Sequence, residues 1–165
     1  MDQGWAAVLG AAVGALATGG GSLLTVRYAR KTQKKAARRE VYRAFLTELA
    51  EARAQLQKVR DLMFYGARDE ADARSVAAGL REAEQGVARL RGLEIGVRLE
   101  GPDSVSVPAR EVTQTITWMW ARLRFAHANP LGEDEFRSMT ATIEADFANL
   151  EGKADDLLLE APRHL

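Results

Sequence analysis

The chain contains no cysteine and only two histidines, and its 23 basic residues are balanced by 23 acidic ones. The absence of cysteine excludes disulfide scaffolds, thiolate metal sites and cysteine nucleophiles. A formal net charge of zero does not favour a nucleic-acid binder that relies on bulk positive charge, so we expect no nucleic-acid partner. A length of 165 residues leaves room for one compact domain and a short appendage, which argues against a two-domain enzyme.

The signature sequences of common enzyme classes are also missing. The chain has no G-x-x-x-x-G-K-S/T, G-x-G-x-x-G, G-x-S-x-G or H-E-x-x-H, and it lacks the Glu-x-x-His of di-metal carboxylate bundles. His127 is expected at the surface near the end of a helix, where a cation suits the helix dipole. The sequence therefore predicts no catalytic residue, no metal site and no cofactor, and we expect a protein that is not an enzyme.

Charge is distributed along the chain in three zones. Trp5 to Val26 is a run of 22 residues without a charge, and Arg27 to Arg39 carry seven positive charges. From Glu40 onward there are 16 basic and 22 acidic residues. The zones predict three parts: a short exterior tip with a transmembrane helix at 1–26, a basic juxtamembrane stalk at 27–39, and a cytosolic helical bundle at 40–165.

The uncharged run has the length of one membrane crossing. As a helix rising about 1.5 Å per residue it would span roughly 33 Å, against a hydrocarbon thickness of about 30 Å. Asp2 precedes the run and Arg27 follows it, which is not the charge order of a cleaved secretory signal. We therefore expect a retained single-pass anchor in the cell membrane. The positive-inside rule places the basic side in the cytoplasm and the N-terminus outside.

Small residues recur at every fourth position of this run, and one stripe contains the GxxxG pair Gly10 and Gly14. Such patterns let membrane helices approach closely, although Ala/Gly-rich anchors also occur without this role. We expect association with a second copy or with a partner membrane helix. The predicted helix-association residues are Ala6, Gly10, Gly14, Thr18 and Ser22.

The basic residues after the run have two interpretations, as a topology determinant on a solvated helix or as ligands for anionic lipid headgroups. Each Lys or Arg near the surface contributes about 1 kcal/mol to lipid binding. A helix would carry Arg39 about 18 Å beyond Arg27, roughly two Debye lengths, so only the first few would contribute much. The candidate headgroup ligands are Arg27, Arg30, Lys31 and Lys34.

The remaining sequence shows four stripes of apolar residues at helical spacing. The stripes are Phe45 to Met63, Ala73 to Leu90, Val105 to Ala126 and Phe136 to Leu157. Turns are expected at Gly66, Gly101–Pro102 and Asn129–Pro130. Four such helices joined by short turns pack most simply as an antiparallel bundle. The predicted fold is all-α, with an N-terminal transmembrane helix, a basic stalk and an antiparallel four-helix bundle.

Three local features complicate this pattern. Residues 93–99 alternate in the period of a strand, but a single strand would have no partner, so we extend the second helix to about Leu99. Gly79, Gly86 and Gly92 each weaken that helix by up to about 1 kcal/mol relative to alanine. The third helix is expected to be capped by Asp103, Ser104 or Ser106, and Pro108 is tolerable only in its first turn.

Two tryptophans stand out on the third stripe. Trp118 and Trp120 flank Met119, and an arginine follows each of them by four residues, within cation–π reach. They are interpreted either as packing at the edge of the core or as anchors of a protein-binding patch. We take both as candidate partner-binding residues for a cytosolic protein.

The order of these features resembles that of a loose group of uncharacterised actinobacterial single-pass membrane proteins. The matching stretches are WAAVLGAAVGALAT, Y-x-x-F-L at Tyr42 to Leu46, and V-R-L-E-G-P at Val97 to Pro102. The resemblance implies a similar architecture and no catalytic residues. The leading hypothesis is a non-enzymatic membrane protein that self-associates through its span and scaffolds another protein with its bundle. The alternative is a membrane-perturbing effector, in which the span forms a pore or leak that the bundle gates.

Overall fold

A computed structural model describes the backbone of residues 3–66, 70–129 and 131–164, and the side chains of residues 32–66, 71–129, 131–161 and 163. This part of the chain contains four α-helices and a short 3₁₀ helix: α1 (Gln3–Tyr65), α2 (Glu70–Glu100), α3 (Asp103–Ala128), α4 (Glu133–Glu160) and η1 (Ala161–His164). The protein is all-α, as predicted. The chain divides into two compact units, Met1–Ala37 and Arg38–Leu165, and the second unit is the helical bundle.

The first unit contributes the beginning of α1. Among the helices whose side chains the structure describes, none is both long enough and apolar enough to cross a membrane. The predicted span Trp5 to Val26 lies outside those described side chains.

Glycine and proline end the helices of the bundle where the sequence predicts. α1 ends immediately before Gly66, and α2 ends immediately before Gly101. Gly132 precedes α4, and its N–H donates to the Glu135 carboxylate at 3.1 Å. The acidic residues at the start of α4 thus both complement the helix dipole and satisfy a free N–H group.

Residues 93–99 are helical, which confirms the extension of α2. Val97 is fully buried and Leu93 is half-buried, whereas Ile95 and Leu99 are exposed. The strand-like alternation therefore comes from apolar residues on the outer face of a helix, added to those on its inner face.

The start of α3 differs from the prediction. Pro102 occupies the N-cap position, and no side chain caps the helix, in place of the expected Asp103, Ser104 or Ser106. Pro108 lies in the second turn and not in the first. It has no N–H to donate to the carbonyl four residues earlier, but the helix continues through it. Val105 and Ala109 are fully buried on either side of Pro108, so tertiary packing stabilises this turn.

Buried apolar residues from all four helices form one core. Each fully buried large side chain contributes about 1.5–3 kcal/mol relative to an exposed one. Ala73, which the sequence pattern assigns to the core stripe of α2, is instead exposed. The largest fully buried side chains are Phe45, Leu56, Leu90, Ile116, Met119, Leu123, Ile143, Leu150 and Leu157.

Successive helices run antiparallel. Gly79 lies against Val59 and Gly101 lies against Tyr42, so contacts advance in opposite directions along α2 and α1. The bundle has four seams between neighbouring helices, and at each seam an ion pair joins the two helices that meet there. The pairs are Arg89–Glu48 for α1 and α2, Arg124–Glu84 for α2 and α3, Arg122–Asp146 for α3 and α4, and Arg53–Glu151 for α1 and α4. Exposed pairs contribute at most about 1 kcal/mol each.

Candidate interaction surfaces

Trp120 is held in the seam between α2 and α3. Its indole Nε1 donates to the Leu80 carbonyl oxygen at 3.3 Å. The guanidinium carbon of Arg124 lies 5.2 Å from its ring centroid, which is the cation–π contact that the spacing predicts. The ring is half-buried. Trp120 therefore packs at the edge of the core, which is one of its two predicted roles.

Trp118 lies on the outer face of α3 with 64% of its surface exposed. Arg122, one turn further on, forms an ion pair with Asp146 of α4. Phe125, seven residues beyond Trp118 and therefore on the same face of the helix, is also exposed. Two large aromatic side chains thus share one exposed face of the bundle.

Phe125 also lines a groove of about 600 Å³ between α3 and α4, together with Leu131 and Met139. Asp134, Glu135 and Arg122 lie at its edges. We call Trp118, Phe125, Leu131 and Met139 the aromatic face. It combines apolar anchors with a charged rim, the anatomy common to protein-binding surfaces.

The predicted membrane-associated residues lie mostly outside the described side chains. This applies to all five helix-association residues, and to Arg27, Arg30 and Lys31 among the candidate headgroup ligands. Lys34 is described and is exposed on α1. The helix-association residues are Ala6, Gly10, Gly14, Thr18 and Ser22.

A second groove, of about 860 Å³, lies beside the part of α1 that begins the bundle. Leu46, Leu158 and Ala161 provide apolar lining, and Arg39 and Arg43 provide positive charge. The sequence pattern alone does not predict this groove. The only available signal was an apolar residue, Leu46, adjacent to the core stripe of α1.

Tyr42 forms the inner wall of this groove and is 3% exposed. Within the described residues its hydroxyl has no hydrogen-bond partner. Burial raises the pKa of Tyr42 above its usual range; the positive charge of Arg38 opposes this, and the Glu100 carboxylate adds to it. The phenol is therefore held in its neutral, protonated form.

Exposed aliphatic residues lie at the same end of the bundle. They come from the last turns of α2, the first turns of α3 and the last turn of α4. We call this set the aliphatic collar: Ile95, Leu99, Val107, Leu158 and Leu159. Nothing in the four predicted stripes required apolar residues at these outer positions.

No group of three or more His, Asp or Glu side chains in the described part of the chain is placed to hold a metal ion. His127 is exposed in the last turn of α3, where the sequence predicts it. It lines a groove of about 790 Å³ near Asn129 and Phe136. The absence of enzymatic activity stays a prediction.

Comparison of the chain with protein-family models, curated proteins and solved structures finds no match. The resemblance to actinobacterial single-pass membrane proteins therefore stays a prediction, and function is argued from the surfaces of the molecule.

Proposed function

We propose that the protein is a non-enzymatic adaptor anchored in the cell membrane by a single N-terminal span. The bundle lies in the cytoplasm and binds another protein through its aromatic face. The span associates with a second copy or with a partner membrane helix through its small residues. The observation that carries the proposal is the exposure of Trp118 and Phe125 on the same face of α3.

The exposed aromatic surface is large enough to anchor a partner. With 64% of its surface exposed, Trp118 presents about 150 Å² to solvent. At about 25 cal/mol per Å², complete burial would release about 4 kcal/mol before the costs of association. A central tryptophan of this kind accounts for about 2–4 kcal/mol of affinity in measured interfaces. Trp120 contributes instead by holding the α2–α3 seam.

Site-specific photo-crosslinking tests the protein-binding role. A photoreactive phenylalanine analogue is placed at Phe125 in cells, with Arg91 on the outer face of α2 as the matched control, because both positions are exposed. We expect one adduct of defined mass at Phe125 and none at Arg91. Adding Trp118→Ala should lower the adduct yield at least tenfold, from a loss of about 2 kcal/mol. Equal adducts at both positions, or a yield insensitive to Trp118→Ala, would refute the proposed face.

The anchor is tested separately from the aromatic face. Alkaline carbonate extraction of the membrane fraction should leave the protein in the pellet, and its release would disprove the anchor. In a membrane two-hybrid assay, Gly10→Ile combined with Gly14→Ile should abolish association, because the larger side chains prevent close helix approach. Depolarisation of expressing cells, measured with a membrane-potential dye, would favour the pore-forming alternative instead.

A further inference from the structure

The groove between α3 and α4 has one wall of large side chains and one of small side chains. On α3, Trp118 and Phe125 are 64% and 54% exposed. On α4, Ser138 and Thr142 line the groove, and Ala145 is exposed three residues further on. The three α4 positions follow one another at steps of four and three, so they lie along one side of that helix. A ridge of aromatic side chains beside a row of small ones is a surface on which another helix packs closely.

The backbone on both sides of this groove is already hydrogen-bonded. Within the described residues its walls are the helices α3 (Asp103–Ala128) and α4 (Glu133–Glu160), which pair their own N–H and C=O groups except at their ends. A peptide pressed onto the apolar lining loses water from its own backbone, and an unpaired buried N–H or C=O group is costly. An extended peptide would find no strand edge here to pair with. A helix satisfies those groups internally, so the groove favours a helical partner.

The length of the groove sets the length of such a partner. Trp118 and Phe125 are seven residues apart, which is about 10.5 Å along α3. From Trp118 to the end of α3 at Ala128 is about 15 Å, and the groove continues from there to Leu131. A helix of about three to four turns, with apolar side chains recurring every third or fourth residue, covers this distance.

The cations beside the groove are paired within the chain. Arg122 forms an ion pair with Asp146, and Lys153 forms one with Glu111 at 3.4 Å. Both pairs join α3 to α4. Their positive charges are therefore offset by the bundle itself and do not favour an acidic partner.

The carboxylates at the other edge of the groove are not paired with a cation. Asp134 and Glu135, which we call the acidic rim, line the groove at the start of α4. Glu135 accepts from the N–H of Gly132, but neither carboxylate has an ion pair within the described residues. From Glu40 onward the chain holds 16 basic and 22 acidic residues, so the net charge around the rim has the same sign. Charge complementarity therefore calls for a lysine or arginine on the partner.

We propose that the segment bound by the aromatic face is a basic amphipathic helix. It lies along the α3–α4 groove with its apolar side toward Trp118 and Phe125 and a lysine or arginine at the acidic rim. The inference rests on the proposed function, because it describes the partner of the same face. It adds the conformation and the charge of that partner.

Synthetic peptides test the conformation and the charge separately. Three fluorescein-labelled peptides of about 14 residues are added to the full chain in phosphatidylcholine nanodiscs at low ionic strength, and protein-free discs give the background. The first is an alanine-rich helix with leucines along one side and lysines beside them. The second has glutamate in place of each lysine, and the third has the composition of the first with its leucines scattered around the helix. Fluorescence anisotropy should show at least tenfold tighter binding of the first peptide than of either other peptide. Equal affinities, or no binding of the first peptide, overturn the proposal.

Reversing one charge of the acidic rim tests where the peptide binds. Asp134→Lys should weaken the first peptide at least threefold and strengthen the second, because the rim then favours the opposite charge. A gain of binding by the second peptide cannot arise from unfolding. Asp155→Lys, also exposed on α4 and with the same change in charge, is the matched control and should alter neither affinity by more than about twofold. If the two variants act alike, the acidic rim does not select the partner and the proposal is wrong.

The results distinguish this inference from the proposed function. If photo-crosslinking at Phe125 gives an adduct that depends on Trp118 but the peptides are not discriminated, the face binds a protein that is not a basic helix, and only this inference fails. If cells give no adduct but the first peptide binds with the expected dependence on Asp134, the proposed function fails and the preference of the face for a basic helix stands. An adduct at Phe125 with the mass of two copies of this chain would show that a second copy occupies the face, and it would overturn the proposal.

Discussion

Gly79 gives the sharpest test of how closely α2 approaches α1. A Cβ atom built on Gly79 would lie 2.8 Å from Cγ2 of Val59, whereas carbon atoms in contact are about 3.5–4.0 Å apart. Val59 is fully buried, and its β-branched side chain has little rotamer freedom to move away. Gly79→Ala should therefore overpack the α1–α2 seam.

The expected magnitude follows from two opposing effects. Replacing a helical glycine with alanine gains up to about 1 kcal/mol of intrinsic helix stability. Overpacking a core position costs about 1–3 kcal/mol, so Gly79→Ala should lower the free energy of unfolding by about 0–2 kcal/mol. Gly92 is the matched control, because no atom lies within 4 Å of the Cβ position there. Gly92→Ala should stabilise by up to about 1 kcal/mol, and the difference between the two variants isolates the overpacking cost.

Urea unfolding of the full chain, followed by far-ultraviolet circular dichroism, measures both free energies, provided that the m-value is unchanged. Both alanine substitutions are then measured again in a Val59→Ala background, which removes the Cγ2 atom that the new Cβ at position 79 would contact. In that background both alanine substitutions should stabilise equally. If Gly79→Ala stabilises the unaltered chain as much as Gly92→Ala does, the close approach of α2 to α1 is wrong.

Two further substitutions follow from buried polar atoms. Tyr42→Phe should raise the free energy of unfolding by about 1 kcal/mol, because it removes a buried hydroxyl without a partner. Burial raises the pKa of Tyr42, so above about pH 10 this phenol ionises in the unfolded chain but not in the folded one. The free energy of unfolding should therefore fall as the pH rises above about 10. Unfolding curves taken at alkaline pH should show a smaller fall for Tyr42→Phe. Trp120→Phe should lower stability by about 1–2 kcal/mol through loss of its bond to Leu80, whereas Trp118→Ala should leave the unfolding midpoint nearly unchanged. Equal midpoints for the two tryptophan variants would contradict this division of roles.

The fold was predictable because the apolar spacing of each helix is regular and its ends carry glycine or proline. The predictions that were wrong concern residues whose environment depends on another helix. Pro108 is tolerated beyond the first turn because its flanking residues are buried, which no local rule encodes. Gly79 looks like a weak point in a helix by propensity, but the seam with Val59 requires a position without a side chain.

The candidate surfaces were predictable only in part. The sequence pattern identifies Trp118 and Trp120 as candidates together, and both lie on α3. They differ in exposure because α2 covers Trp120 and leaves Trp118 exposed. Helical periodicity turns Trp120 about 200° from Trp118, and only the packed bundle shows which of the two faces a neighbour. The groove at Tyr42 and Leu158 joins residues more than a hundred positions apart, and spacing along one helix carries no information about such a pair.

The strand-like alternation of residues 93–99 and the aliphatic collar have the same origin. Packing of α2 needs apolar side chains at the inner positions Leu93 and Val97, and polar residues at 95 and 99 would have served the bundle equally well. Had those positions been polar, the period would have been plainly helical. The apolar identity of Ile95 and Leu99 therefore does not come from the core of this bundle.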